Sequence, residues 1–139
     1  MRGREFLELA HEWLAGAEER HWRGVVGRAY YALMLECRDA LVRWGFSCPP
    51  RDNVHTFVRM RFSFPALVEL KQIGNFLDSL GRLRNKADYD LTSVVAFQDS
   101  SKARQAVHDV AACLVLLDAI DNDAVRRAAA IKAIAAAFP

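Results

Sequence analysis

Apolar residues recur every third or fourth position through long stretches of this chain, and that spacing commits it to amphipathic helices. Phe6, Leu7, Ala10, Trp13, Leu14 and Ala17 share one face, which predicts a first helix from about Glu5 to Glu19. A second stripe runs through Val26, Tyr30, Leu33, Cys37, Leu41 and Trp44, from a junction near His21 to a terminating Gly45. A third presents Leu67, Leu70, Ile73, Leu77, Leu80 and Leu83, with Pro65 suited to its first turn, and runs into Arg84–Asp90. A fourth carries Ala103, Val107, Val110, Leu114 and Leu117 behind the candidate caps Asp99, Ser100 and Ser101. Pro49-Pro50 breaks the pattern between the second and third stripes. A short helical turn over about Asn53 to Met60, capped by Asp52 or Asn53, follows that break.

The expected fold is all-α: an antiparallel up-and-down bundle of four main helices, a short extra helix and an Ala-rich C-terminal tail. Only seven glycines and four prolines in 139 residues leave too few turns for an all-β chain. More than half of the residues are apolar, enough for one core without disulfide or metal staples. Residues 1–120 are assigned to the bundle and 121–139 to the tail, either a docked extra helix or a partner-binding element. The β-branched stretch from Leu91 to Gln98 is expected to be irregular.

Charge and chemistry exclude several classes. A net charge of +2 does not by itself call for a nucleic-acid partner. Arg51, Arg59 and Arg61, and again Arg82, Arg84 and Lys86, form small basic groups of the sort usually found on solvated surface. Cys37, Cys48 and Cys113 are odd in number and widely spaced, and the four histidines show no ligand spacing, so neither a disulfide framework nor a metal site is expected. No cofactor is expected. The charged N-terminal stretch lacks an apolar signal core, and the longest apolar run, Val110–Leu117, is too short for a bilayer, which places the expectation in the cytoplasm without a membrane.

Two segments carry a resemblance. Gly27-Arg28-Ala29-Tyr30-Tyr31-Ala32 lies on the second helix, and Leu83-Arg84-Asn85-Lys86-Ala87-Asp88-Tyr89-Asp90 closes the long helix after Pro65. In order and helical setting they resemble the HEPN family (higher eukaryotes and prokaryotes nucleotide-binding), as does the histidine-containing Val54-His55-Thr56-Phe57. The resemblance spans roughly Glu5 to Asp118 and implies a helical bundle that forms homodimers and acts on RNA or nucleotides. It also implies a metal-independent ribonuclease in many members, and a minimal nucleotidyltransferase as partner in toxin–antitoxin or defence pairs. The family's arginine falls on Arg84, followed by Asn85. Its histidine, four to six residues later, falls on Tyr89, or on Asp88 or Asp90 at the limits, and none of these is histidine.

Metal-free cleavage of RNA needs a proton carrier for the ribose 2′-hydroxyl and a cation for the charge developing on phosphorus. Arg84 suits the cation role because its planar fork holds two phosphate oxygens. Tyr89 and Asp88 are the proton-carrier candidates at the motif. Asp88 has a second reading, an ion pair with Arg28 that ties two helices together. Arg28, Asn85, Lys86, His55 and Tyr31 complete the candidate binding set. His55 can supply the missing imidazole only if its segment folds over Arg84, and a lone histidine is more often a structural hydrogen-bonder. Tyr30 continues the apolar stripe and belongs to the core, whereas Tyr31 lies off it, able to line the site or a dimer interface. Tyr31, Leu35 and Trp22 are apolar surface that one bundle core does not absorb, a further reason to expect a homodimer. The competing class is a non-catalytic dimeric module that binds RNA or nucleotide, or presents substrate, without the motif histidine.

Overall fold

The computed structural model describes residues 1–92 and 95–139 and is all-α. Six helices pack into a bundle: α1 (Glu5–Trp13), α2 (Glu19–Arg43), α3 (Asn53–Ser63), α4 (Val68–Tyr89), α5 (Ser101–Asp121) and α6 (Ala124–Ala137). No strand is present among the described residues. No helix among them is long and apolar enough to cross a membrane.

The 25-residue α2 is the hub, packed against α1, α3, α4 and α5. Val25, Val26, Ala29, Ala32, Leu33, Cys37, Ala40 and Leu41 are fully buried along it, so its apolar face is broad enough to meet several neighbours. It ends as expected at Gly45. The Phe46 N–H donates to the Leu41 carbonyl at 2.9 Å and the Gly45 N–H to the Val42 carbonyl at 3.1 Å. This paired closure places Gly45 at φ 96°, a conformation that a side chain resists.

Several expected boundaries move. α1 stops at Trp13 rather than near Glu19, because the chain turns sharply to start α2. Glu18 and His21 cap that start reciprocally, the Glu18 N–H donating to His21 Nδ1 at 3.3 Å. Gly16 lies so close beneath the His21 ring that a Cβ there would fall 2.2 Å from its Cγ. α3 starts at Asn53 as expected and runs past Met60 to Ser63, since Val54, Val58 and Phe62, four residues apart, all enter the core. Asp52 precedes it without a side-chain cap bond. Pro65 lies in the α3–α4 connection rather than in the first turn of α4.

In the stretch expected to be irregular, Val95–Phe97 forms a 3-10 turn anchored by buried Phe97, while Ser93 and Val94 fall outside the described residues. Among the proposed α5 caps, Asp99 accepts from the Ser101 N–H at 2.9 Å, and Ser100 makes no side-chain cap bond. The Ala-rich tail is a docked helix. Asp123 caps it, accepting from the Val125 and Arg126 N–H groups, and its Ala130 and Ile134 are fully buried. Arg126 pairs with Glu69 of α4 at 2.8 Å, and Phe138 stacks on Phe64 at 5.9 Å.

Trp22, Tyr31 and Leu35 pack against this chain's own core, and the Leu35 Cβ lies 2.8 Å from where a Cβ on Gly3 would stand. Each is half-buried, so part of its apolar surface is covered within one chain and part faces solvent.

The α3–α4 contact sets the distance between two walls of the candidate site. A Cβ on Gly74 would lie 2.5 Å from the Phe62 carbonyl carbon and from the Ser63 amide nitrogen. Those are backbone atoms and cannot swing aside. Gly74→Ala is therefore expected to cost about 3 kcal/mol, the upper end for overpacking, as measured by urea denaturation. A loss below about 0.5 kcal/mol, the range of ordinary surface substitutions, would mean the two helices separate freely.

Candidate functional site

Between α2, α3 and α4 lies an open pocket of about 250 Å³. α2 contributes Tyr30 and Met34, and α3 contributes His55, Thr56 and Arg59. α4 lines the remaining wall with Leu77, Asp78, Gly81, Arg82, Arg84 and Asn85. The α3 pair His55 and Arg59 and the α4 pair Asp78 and Arg82 are each four residues apart, so each pair shares a helix face.

Arg84 is the most constrained cation of the pocket. Its side chain is 18% exposed, with Nε 2.9 Å from Asp88 Oδ2. Nη2 donates to the Tyr31 hydroxyl at 2.8 Å, and the guanidinium carbon stands 5.1 Å and 5.8 Å from the Tyr31 and Tyr30 ring centres. The buried Nε–H nonetheless has no aligned acceptor, so the contact with Asp88 is ionic rather than a well-formed hydrogen bond. Arg84 is held in place yet incompletely satisfied, the state expected of a guanidinium that can accept an oxyanion.

His55 stands beside it. Its Nδ1 is 2.8 Å from the Tyr30 hydroxyl, and the two rings stack nearly parallel at 5.7 Å. The Tyr31 ring meets it edge-on at 5.9 Å. Burial pushes the imidazole pKa below its usual 6.5, and the nearby Arg84 charge lowers it further against a weaker pull from Asp52. Burial raises the Tyr30 phenol, with Arg84 opposing. At neutral pH, then, an uncharged imidazole hydrogen-bonds an un-ionised phenol. When Nδ1–H donates to the Tyr30 oxygen, the lone pair on Nε2 is free to take a proton.

Asp78 bridges the outer rim, 3.2 Å from Arg59 and 2.9 Å from Arg82. Arg59 of one basic group thus meets Arg82 and Arg84 of the other at one opening, while Arg61 lies over the rings of Phe57 and Phe138. Neither Arg59 nor Arg82, nor Thr56 or Asp78, stood among the candidate site residues. Their helical spacing was the available signal, although nothing in one dimension showed that the two faces meet.

The remaining candidates scatter. Asn85 lines the pocket, and Tyr31 braces Arg84. Lys86 points to the other flank of α4, toward α5. Tyr89, the last residue of α4, is 75% exposed and is not among the pocket's lining residues. The expected Arg28–Asp88 pair gives way to Arg84–Asp88. Arg28 lies instead over the rings of Trp13 and Phe6, at 5.3 Å and 5.8 Å, with its Nε unpartnered.

Arg23 is the residue that sequence reasoning missed altogether. Its side chain is 11% exposed and reaches from α2 to the end of α4. There it donates to the carbonyls of Lys86, Ala87, Asp90 and Thr92 at 2.6–3.2 Å, while pairing with Glu19 at 3.0 Å. It thereby satisfies carbonyls that a helix end leaves orphaned, and it fixes the turn bearing Arg84 and Asp88 against α2. Among the described residues, no three His, Cys, Asp or Glu side chains come together as a metal would require.

No family model matches this chain, and no match is found among curated proteins or among solved structures.

Proposed function

We propose that this chain is an RNA-directed module of the HEPN kind, in which Arg84 holds a phosphate and His55 carries the proton for metal-independent cleavage. The observation that carries the reading is the placement of a partly buried imidazole and an incompletely satisfied guanidinium against the same pair of tyrosines. The motif lacks its histidine in sequence, and α3 delivers one from elsewhere in the chain. In the reaction His55 takes the proton of the ribose 2′-hydroxyl, the 2′-oxygen bonds to phosphorus, and the bond to the 5′-oxygen breaks. The departing 5′-oxygen recovers the proton from the imidazolium, whose lowered pKa makes it a willing donor. Arg84, flanked by Arg59 and Arg82, faces the charge that builds on phosphorus. A second copy of the chain and a small nucleotidyltransferase are the partners this reading proposes.

The test uses purified protein, total RNA and EDTA across a range of pH. Protonated His55 cannot act as base, so the cleavage rate should climb as pH rises through a value below 6.5 and then level off. His55→Gln should lose cleavage and keep RNA binding. A second reading, a binding module without chemistry, draws on the exposure of Tyr89 at the position where the family carries its proton carrier. Wild type that binds RNA and never cuts it decides for that module.

A further inference from the structure

On the opposite flank of α4 from the pocket, a groove of about 380 Å³ runs between α4 and α5. Residues three and four apart line it from both helices: Phe76, Leu80 and Leu83 on one side, Ala106 on the other. Leu80 and Ala106 are buried, while Phe76 and Leu83 are half-buried, so the floor is apolar with an aromatic ring in reach of solvent. The rim is basic. Lys86 in the last turn of α4 and Lys102 in the first turn of α5 are both exposed, and Arg82 stands with them. The one carboxylate on the groove, Asp109, is engaged along α5 by the Gln105 amide at 2.8 Å.

Arg82 lines both this groove and the Arg84–His55 pocket. Its side chain is 78% exposed on the crest of α4, which separates the two. A flat apolar floor edged by cations fits a nucleobase with its phosphates, because stacking needs an apolar face and the backbone needs positive charge. A helix is about 10–12 Å across with its side chains, so a ligand touching both sites must be a strand rather than a single nucleotide.

We propose that the α4–α5 groove is a second subsite for the same single-stranded RNA, taking a flanking nucleotide on Phe76 and Leu83 with Lys86 and Lys102 on its backbone. This rests on the reading of the pocket as a phosphate site. The strand crosses α4 over Arg82, and specificity follows: oligonucleotides bind better than mononucleotides, and duplexes, whose bases are paired and stacked, are refused.

The test compares AMP with a 2′-O-methylated oligoadenylate of about eight nucleotides, a length ordinary for single-strand sites, which cannot be cut. Binding is followed across a salt series in wild type and in the double variant Lys86→Ala/Lys102→Ala. Both lysines are exposed, so the fold is expected to be kept. The oligonucleotide should bind the variant about tenfold more weakly, as for a lost pair of backbone contacts. Its log–log salt slope should shrink by about 1.4, the value for two phosphate contacts on a single strand. AMP should lose far less than the oligonucleotide, because a single nucleotide can still occupy the Arg84 pocket, which neither lysine lines. An unchanged oligonucleotide affinity and slope overturns the groove while leaving the pocket standing. If wild type binds neither ligand, the pocket reading falls and the groove with it.

Discussion

Arg84→Ala is expected to lower RNA cleavage by two to three orders of magnitude, about the effect of deleting one fixed donor from a charge-stabilising site. The guanidinium is the one pocket cation braced from two sides, by Asp88 and by the Tyr31 hydroxyl. Arg59 and Arg82 line the same pocket but are tied to Asp78 at its outer rim. Arg84→Lys keeps the charge and loses the fork, so it should recover only part of the rate. The fold should survive the alanine, because Asp88 is 39% exposed and can be hydrated when its partner goes. A thermal melt alongside the assay separates the two effects. Tyr89→Phe, by contrast, should change little, since that ring is exposed and outside the pocket. Undiminished cleavage and binding in Arg84→Ala would remove both the catalytic and the binding reading, because each depends on this cation.

The residues of the site were easier to name than to assemble. Arg84 and Asp88 became partners because α4 stays helical through Tyr89, which turns a four-residue spacing into direct neighbours. The alternative partner, Arg28, lies on α2 over the rings of Trp13 and Phe6 instead. The bundle itself was legible because its buried stripes dominate the pattern: Tyr30, Leu33, Cys37 and Leu41 all lie where helical spacing puts them. Boundaries set by tertiary contact were not. The stop at Trp13 depends on Gly16 fitting beneath His21, and the position of α3 depends on Gly74 admitting its backbone. His55 reaches Tyr30 only through that docking, which no periodicity encodes. Arg23 was hidden for the same reason, since the carbonyls it holds lie more than sixty residues away.

A large effect on stability is also expected from Arg4, which ties α1 to both α2 and α5. Glu36 is the one charged residue fully inside the described core, at 6% exposure. Arg4 satisfies it three times, through its own backbone N–H at 2.9 Å, Nε at 3.1 Å and Nη2 at 3.1 Å. The same guanidinium donates to Asp118 from Nη1 at 3.2 Å and Nη2 at 2.9 Å. Arg4→Ala leaves the Glu36 carboxylate buried with only the backbone donor. The cost should be about 3 kcal/mol in urea denaturation, the low end for a broken buried pair, because the Arg4 side chain is one-third exposed. Acid provides the check on mechanism. Burial pushes the Glu36 pKa up, but its bonds from Arg4 outweigh burial and hold it below the usual 4.5. The pair therefore stabilises the fold fully above pH 4.5, and that contribution fades as pH falls through the lowered value. In Arg4→Ala the burial effect is opposed far less, so the carboxyl titrates higher and the variant is relieved by protonation. The stability gap between the two proteins should narrow below pH 4.5, and Arg4→Met with Glu36→Leu should recover most of the loss. A gap that stays constant from pH 7 to pH 3 would mean that the lost contacts are packing rather than charge.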